Sequence, residues 1–367
     1  MTRSEPAGRR QWSRGRWLAI ACALLGIFPG ARLQAAPGAH APLLVGFYDG
    51  WDPVDSRVLR RRLMVLDVFA PKWITVRGAS ADIVVEPDQG IPAMIAAVGG
   101  RPRVFPLVSN AHDGIWDQAA AEALIFDRAT RKAFVAPLAE LAGANGYAGY
   151  VLDLEGLSPP ALAGYPALLA ALKAALAPAG REVWVAASVG AGQPLPALAA
   201  ASDALLLMAY DECWANATPG PIAGEDWVAA VLGARVQGLD PRRVILGLAS
   251  YGYDWPERAP ARPLGIEQAR ALAARVGASI ARDPASGNET FAYVSGDGIR
   301  HQVWFVDARA FAAEARLGAG YGVRGVALWR LGLEDPAIWT ARRPTGADAE
   351  PGAPSALPHP CGPLPAR

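Results

Sequence analysis

Four apolar runs in this sequence end in groups able to do acid–base chemistry or hold a polar ligand: Tyr48-Asp49, Asp153-Leu154-Glu155, Tyr210-Asp211-Glu212 and Trp329-Arg330. The second is the most telling. In an extended strand Gly149, Val151, Asp153 and Glu155 share one face, and Tyr150, Leu152 and Leu154 the other. The two carboxyls then project together, with Cα atoms roughly 6.6 Å apart. Groups that close can share a proton, and one of them can stay protonated near neutral pH. An acid of that kind is what a glycosidic oxygen needs as its bond breaks. The pair would equally suit a loop that caps the next helix, or a surface ion pair. Tyr48, Tyr251 and Trp214 also follow strand-like runs and are candidates to line a ligand site, with core or rim packing as the alternative.

Other chemistries lack support. His40, His112, His301 and His359 are scattered, none at metal-ligand spacing with another His, Cys or acid, so no metal is expected. There is no nucleophile-elbow pattern and no phosphate-binding glycine loop, and no cofactor is expected.

The elements that must position these groups alternate between short β-rich runs and Ala/Leu-rich stretches at helical spacing. Strands are expected over 43–48, 73–76, 104–108, 149–154, 183–189, 204–208, 244–248 and 325–329. Eight of them with helices between predict an α/β fold, a (β/α)8 TIM barrel over residues 42–342. The stretch 253–321 is too long for one connection and reads as a small α+β insert before the last strand. Within it 291–294 and 302–306 form a hairpin about the Ser295-Gly296-Asp297-Gly298 turn. In such a barrel the site lies at the C-terminal ends of the strands, where all four polar run-ends fall.

The chain has 367 residues, 52% of them hydrophobic, enough for one large core. Its 35 Lys and Arg against 34 Asp and Glu leave a charge of +1, and nucleic acid is not an expected partner. Arginines at 3, 9, 10, 14 and 16 precede an apolar run over 18–28 and small residues near Ala35, the pattern of a signal peptide over 1–36. Arg9-Arg10 is a faint sign of twin-arginine export. The apolar run is too short to span a bilayer, and no later stretch reads as a span. A secreted or periplasmic protein with no stable membrane span after cleavage is expected, with uncleaved anchoring by this segment as the alternative. The mature chain then keeps Cys213 and Cys361, too few for a disulfide framework, and their pairing is left open. The Pro/Ala-rich stretch 343–367, which holds Cys361, lacks periodicity and is expected to be disordered.

The end of the fourth predicted strand resembles the motif of glycoside hydrolase family 18, the chitinase-like barrels, in which three spaced aspartates precede a glutamate. Asp153 and Glu155 match its last two members; Ala148 and Val151 stand where the earlier aspartates would be. Met208-Ala209-Tyr210-Asp211 matches the family's sixth-strand motif, and Trp329 the aromatic floor of the last strand. The stretches 106–110, 208–214 with 219–223, 251–255, 301–307 and 327–336 are similar to the hydrolase domain of bacterial polysaccharide deacetylase/glycosyltransferase fusions and to spore-cortex peptidoglycan hydrolases. This resemblance covers residues 43–339. It implies a polysaccharide or oligosaccharide substrate and a retaining mechanism in which the substrate's acetamido group is the nucleophile. Glu155 would protonate the leaving oxygen, Asp153 would orient the acetamido N–H, and Tyr210 with Asp211 would hold its oxygen. Trp329 would carry the sugar's apolar face, ordinary core packing being the alternative for Tyr210 and Trp329. The departures at Ala148 and Val151 keep open a weakly active or purely glycan-binding protein.

Overall fold

A computed structural model describes residues 42–50, 54–340 and 361–362. The expected signal segment, residues 1–36, lies outside them. Eight parallel strands form the barrel: Leu43–Tyr48, Val68–Pro71 continued by Ile74–Arg77, Arg103–Val104 continued by Leu107–Ser109, Gly149–Asp153, Glu182–Ser188, Ala204–Met208, Val244–Ala249 and Gly325–Trp329. The first strand pairs with the last (Leu43↔Gly325) and with the second (Val45↔Val68). The ring closes because the second and third strands are each kinked. Their first halves pair through Phe69↔Val104 and their second halves through Ile74↔Val108.

Strand alternation divides the apolar residues into two cores. Val45, Phe47, Val68, Ala70, Phe105, Leu107, Val151, Trp184 and Leu206 fill the barrel, while Leu152, Leu205, Leu246 and Leu328 face the helices. In the barrel's lower half Phe105 stacks on Trp184 with ring centroids 4.2 Å apart. Gly149 makes that possible, since a Cβ there would run into the Phe105 ring and the Glu182 carbonyl. Glu182 closes the bottom, bonded by Arg103 and Arg324, each at 2.9 Å, and by the Trp184 indole at 2.8 Å.

The outer helices begin where short acidic side chains can take up free backbone N–H groups. Asp117 caps Gln118–Phe126 and Asp127 caps Arg128–Asn145, which Gly146 ends in the left-handed region. Residues 159–179 are long and apolar enough by composition to pass as a membrane span. In this fold they form an Ala/Leu-rich outer helix, Pro159–Leu176, whose Tyr165, Leu168, Leu169, Leu172 and Leu176 are buried.

Between the seventh and eighth strands an antiparallel sheet holds Arg262–Leu264, Gly252–Pro256, Arg300–Phe305, Glu289–Val294 and Ala281–Arg282 in that order, with helix Ile266–Val276. The hairpin expected about residues 295–298 pairs Val294 with Arg300. This sheet ends at Phe305. Residues 308–320, within the stretch read as insert, form helix Ala308–Gly320, which packs on Glu225–Arg235 and the seventh strand and so belongs to the outer ring.

The 343–367 stretch is described only at Cys361 and Gly362, which are held in place. Cys361 is bonded to Cys213 across a sequence separation of 148. Cys361 N also donates to Glu212 O at 3.3 Å, and Thr218 N to Gly362 O at 2.9 Å. Gly220 passes over the bridge, where a Cβ would meet the Cys213 sulfur.

Candidate active site

A cleft with two lobes opens at the C-terminal ends of the strands. The larger, a cavity of about 840 Å³, is walled by Lys72, Ser109, His112, Tyr251, Tyr253 and Arg330. The smaller, about 490 Å³, is walled by Glu155, Ser188, Met208, Tyr210, Asp211 and Trp214. Asp153, Trp116 and Trp329 line both. Both volumes fall in the range of small-molecule binding clefts.

The fourth strand places its carboxyls as the alternation predicts. Val151 lies in the barrel core, Asp153 above it is 6% exposed, and Glu155 is half-buried just past the strand end. Burial pushes the Asp153 carboxyl up, to about 6, against the opposing pull of Lys72. Burial pushes Glu155 further, to about 8, and the charges of Asp153 and Asp211 add to the shift. The two titrate as a pair, with the last proton on Glu155. Asp153 Oδ1 is buried with no hydrogen-bond partner, leaving it ready to accept from a ligand.

On the other side of the cleft Asp211 follows the sixth strand at φ 60°, a left-handed conformation that Asp tolerates better than most residues. Tyr251 Oη donates to Asp211 Oδ1, and Tyr253 Oη donates to the same oxygen at 3.2 Å. Burial raises the Asp211 carboxyl and these phenols oppose the rise. Tyr210 stacks parallel to Trp329, with centroids 6.2 Å apart and planes 10° apart. Phe47 packs against Trp329 from below at 5.5 Å. Trp214, 46% exposed, stands at the rim. Glu212, next to Asp211, points away from the cleft and accepts from Gly224 N at 2.8 Å.

Glu155, Asp153, Tyr210, Asp211, Trp329, Tyr251 and Trp214 thus meet in one cleft. Tyr48 does not. It ends the first strand on the outward face, 8% exposed, with its ring 6.0 Å from Phe69, and its neighbour Phe47 lines the cleft instead.

Three contributors are absent from the sequence reading of the site. Asn110, fully buried, accepts from Glu155 N at 3.0 Å and donates to Glu155 O at 2.9 Å, clamping the main chain of the acid. Tyr253 supports Asp211. Trp116, 42% exposed, sits on a small hairpin of Ala111–His112 and Ile115–Trp116 turned by Asp113 and Gly114, both at positive φ. The Asp-Gly dipeptide is a hairpin signal that could have located it. His112 braces this hairpin between Asp117 at 3.2 Å and Asp113 at 3.1 Å. Among the described residues no three His, Cys, Asp or Glu side chains gather to hold a metal.

Residues 98–334 match the family Glycosyl hydrolases family 18. The chain belongs to that family. It is therefore a glycosidase on a (β/α)8 barrel. It is 25% identical over 255 residues to the uncharacterized glycosylase YvbX of Bacillus subtilis, which takes in 66% of this chain and 74% of that one. It is 32% identical over 142 residues to the cortical fragment-lytic enzyme of Bacillus subtilis, covering 37% of this chain and only 33% of that protein. A chitinase from Chromobacterium violaceum superposes with a TM-score of 0.74 at 28% identity, covering 82% of this chain and 97% of the other.

Proposed function

We propose that this glycosidase cleaves β-linked glycans containing N-acetylglucosamine, with the substrate's own acetamido group as nucleophile. The carrying observation is the carboxyl pair: Glu155 on the cleft wall with its carboxyl pushed up by burial and the neighbouring acids, Asp153 beside it with an unpartnered oxygen, and Trp329 lining the same cleft. As the glycosidic C–O bond breaks, Glu155 gives its proton to the leaving oxygen. The acetamido carbonyl oxygen bonds to the anomeric carbon, giving a cyclic oxazolinium ion. Asp153 accepts the acetamido N–H and offsets the positive charge, while Tyr210 and Asp211 bracket the acetamido group. Water then attacks the anomeric carbon, the ring C–O bond opens, and Glu155 takes the water's proton, so configuration is retained. Chitin-like oligomers and peptidoglycan glycan strands both fit this chemistry, in keeping with the chitinase and the cortical fragment-lytic enzyme that the chain resembles.

Export from the cytoplasm goes with this reading, supported by the arginine-rich, then apolar, start of the sequence and by the Cys213–Cys361 bridge, a bond favoured in oxidising compartments. The purified protein should cut N-acetylated oligomers, bind but not cut their fully de-N-acetylated forms, and be inhibited strongly by a thiazoline mimic of the cyclic ion. Comparable hydrolysis of the glucosamine polymer, or a trapped sugar ester on a carboxylate, would refute the mechanism. Binding without turnover on every glycan would mean a lectin.

A further inference from the structure

We propose that Lys72 decides which member of the carboxyl pair carries the proton: its ammonium group keeps Asp153 ionised, so that Glu155 remains the acid. The inference rests on the role given to Glu155 above and makes Lys72 a positioning residue, acting through Asp153.

The fold delivers Lys72 to this place. Val68 and Ala70 face the barrel interior, and alternation carries Lys72 to the same face, half-buried on the cleft wall with Asp153. Directly afterwards the strand kinks, with Lys72 N bonded to Tyr48 O at 2.7 Å and Trp73 N to Pro71 O at 2.9 Å, and Trp73 turns outward into the helix-side core. The lysine is thus the last inward residue before the kink.

Burial disfavours charge on both acids, and two neighbouring carboxylates resist ionising together. Which of them keeps the proton then depends on the other charges each one faces. Below Asp153 the barrel is apolar, filled by Val151, Leu107, Phe105 and Trp184. From the fourth strand it meets Glu155, and the Tyr165 and Tyr210 phenols face it from the helix side and the sixth strand. Among the described residues Lys72 is the cation that acts on it. Glu155 faces Asp153 and Asp211, both acidic. In the same lobe Arg330 is engaged with Asp49, and His112 with Asp113 and Asp117. Lys72 in turn feels Asp153 as an attractive partner, with burial and Arg77 opposing its charge. The field across the pair therefore runs one way, drawing the proton to Glu155.

The test is the pH dependence of kcat/KM on an N-acetylglucosamine oligomer for the parent, Lys72→Met, Lys72→Gln and Lys72→Arg. Without the ammonium group Asp153 holds a proton to higher pH, so the acid limb moves up. The basic limb, loss of the pair's last proton, stays near the parent's, while part of the singly protonated pair now holds its proton on Asp153 and is inactive. In Met and Gln the bell should narrow by about one pH unit and its maximum fall about tenfold, while Arg keeps the parent's limbs. Gln retains a polar stem and covers the case in which Met does not fold. Unmoved limbs in Met or Gln with a raised KM would make Lys72 a substrate contact and overturn the proposal. So would narrowing in Arg equal to that in Met. If Glu155→Gln proves as active as the parent, the function proposed above falls, and this inference with it.

Discussion

Among the described residues burial drives carboxyls toward the neutral form both at the cleft, at Asp153, Glu155 and Asp211, and away from it, at Glu314 and Glu212. Asp153, Glu155 and Asp211 border the cleft, with phenols, a lysine and an unfilled acceptor oxygen around them. Glu314 lies on helix Ala308–Gly320, fully buried, with neither carboxyl oxygen hydrogen-bonded. Burial raises it well above the ordinary range, and Glu225, Asp307 and Glu212 add to the effect while Arg282 opposes it. A displaced carboxyl is therefore no sign of catalysis by itself. What separates the groups is access: the cleft acids can hand a proton to a ligand, and Glu314 has no ligand to meet.

The largest effect that could break this contrast is at Glu155. Glu155→Gln should lower kcat on N-acetylated oligomers by about 10²- to 10⁴-fold and leave glycan affinity near the parent's, since the amide fills the same space but gives no proton. Residual turnover within a few-fold of the parent would remove Glu155 from the cleft group. Asp153→Asn comes next, with a loss of about 10²-fold and a basic limb at lower pH, because Glu155 is no longer repelled by a neighbouring charge. In the parent, activity should fall below about pH 6, as Asp153 gains a proton, and above about pH 8, as Glu155 loses its own. A limb that stays put in the Asn variant would mean the two groups do not titrate together.

Tyr253→Phe should cost less, roughly three- to tenfold in kcat/KM, because Asp211 keeps its bond from Tyr251. The smallest effect on catalysis belongs to Glu314→Gln, which should leave kcat/KM alone and show only in stability. The Glu314 carboxyl is raised in the fold, so the stability it contributes is complete below its unfolded value and is lost as pH rises through the folded one. Thermal midpoints of parent and variant compared at about pH 5 and about pH 9 should shift in the variant's favour at the higher pH. Parallel curves would show that Glu314 is neutralised by some other means.

Much of this arrangement is legible from alternation alone. The inward face of 149–155 and the hairpin at 295–298 follow from local pattern and turn chemistry, while the role of Trp329 comes from the family resemblance. Long-range pairing hides the rest. Asn110 acquires its partner only through the register Ser109↔Asp153, which no window of sequence contains. The segment Val68–Pro71 goes unread as strand because Pro71-Lys72 looks like a break, whereas the barrel uses it as a kink between two pairing partners. Tyr48 is misplaced for a simpler reason: a strand end has two faces, and here the aromatic residue one position earlier points inward. The disulfide is not legible in the sequence because a lone pair of cysteines carries no spacing signal; what joins them is the placement of Cys361 beside the loop after the sixth strand.

That return gives the molecule a covalent topology of its own. From Cys213 to Cys361 the backbone and the bridge form one closed ring, which contains the seventh and eighth strands, the small antiparallel sheet and the helix bearing Glu314. A single backbone cut anywhere inside a ring opens it without releasing a piece. Nicked at the exposed turn near residues 296–298, the oxidised protein would migrate as one species and come apart into two only on reduction, the small sheet staying tethered by the bond beside Trp214.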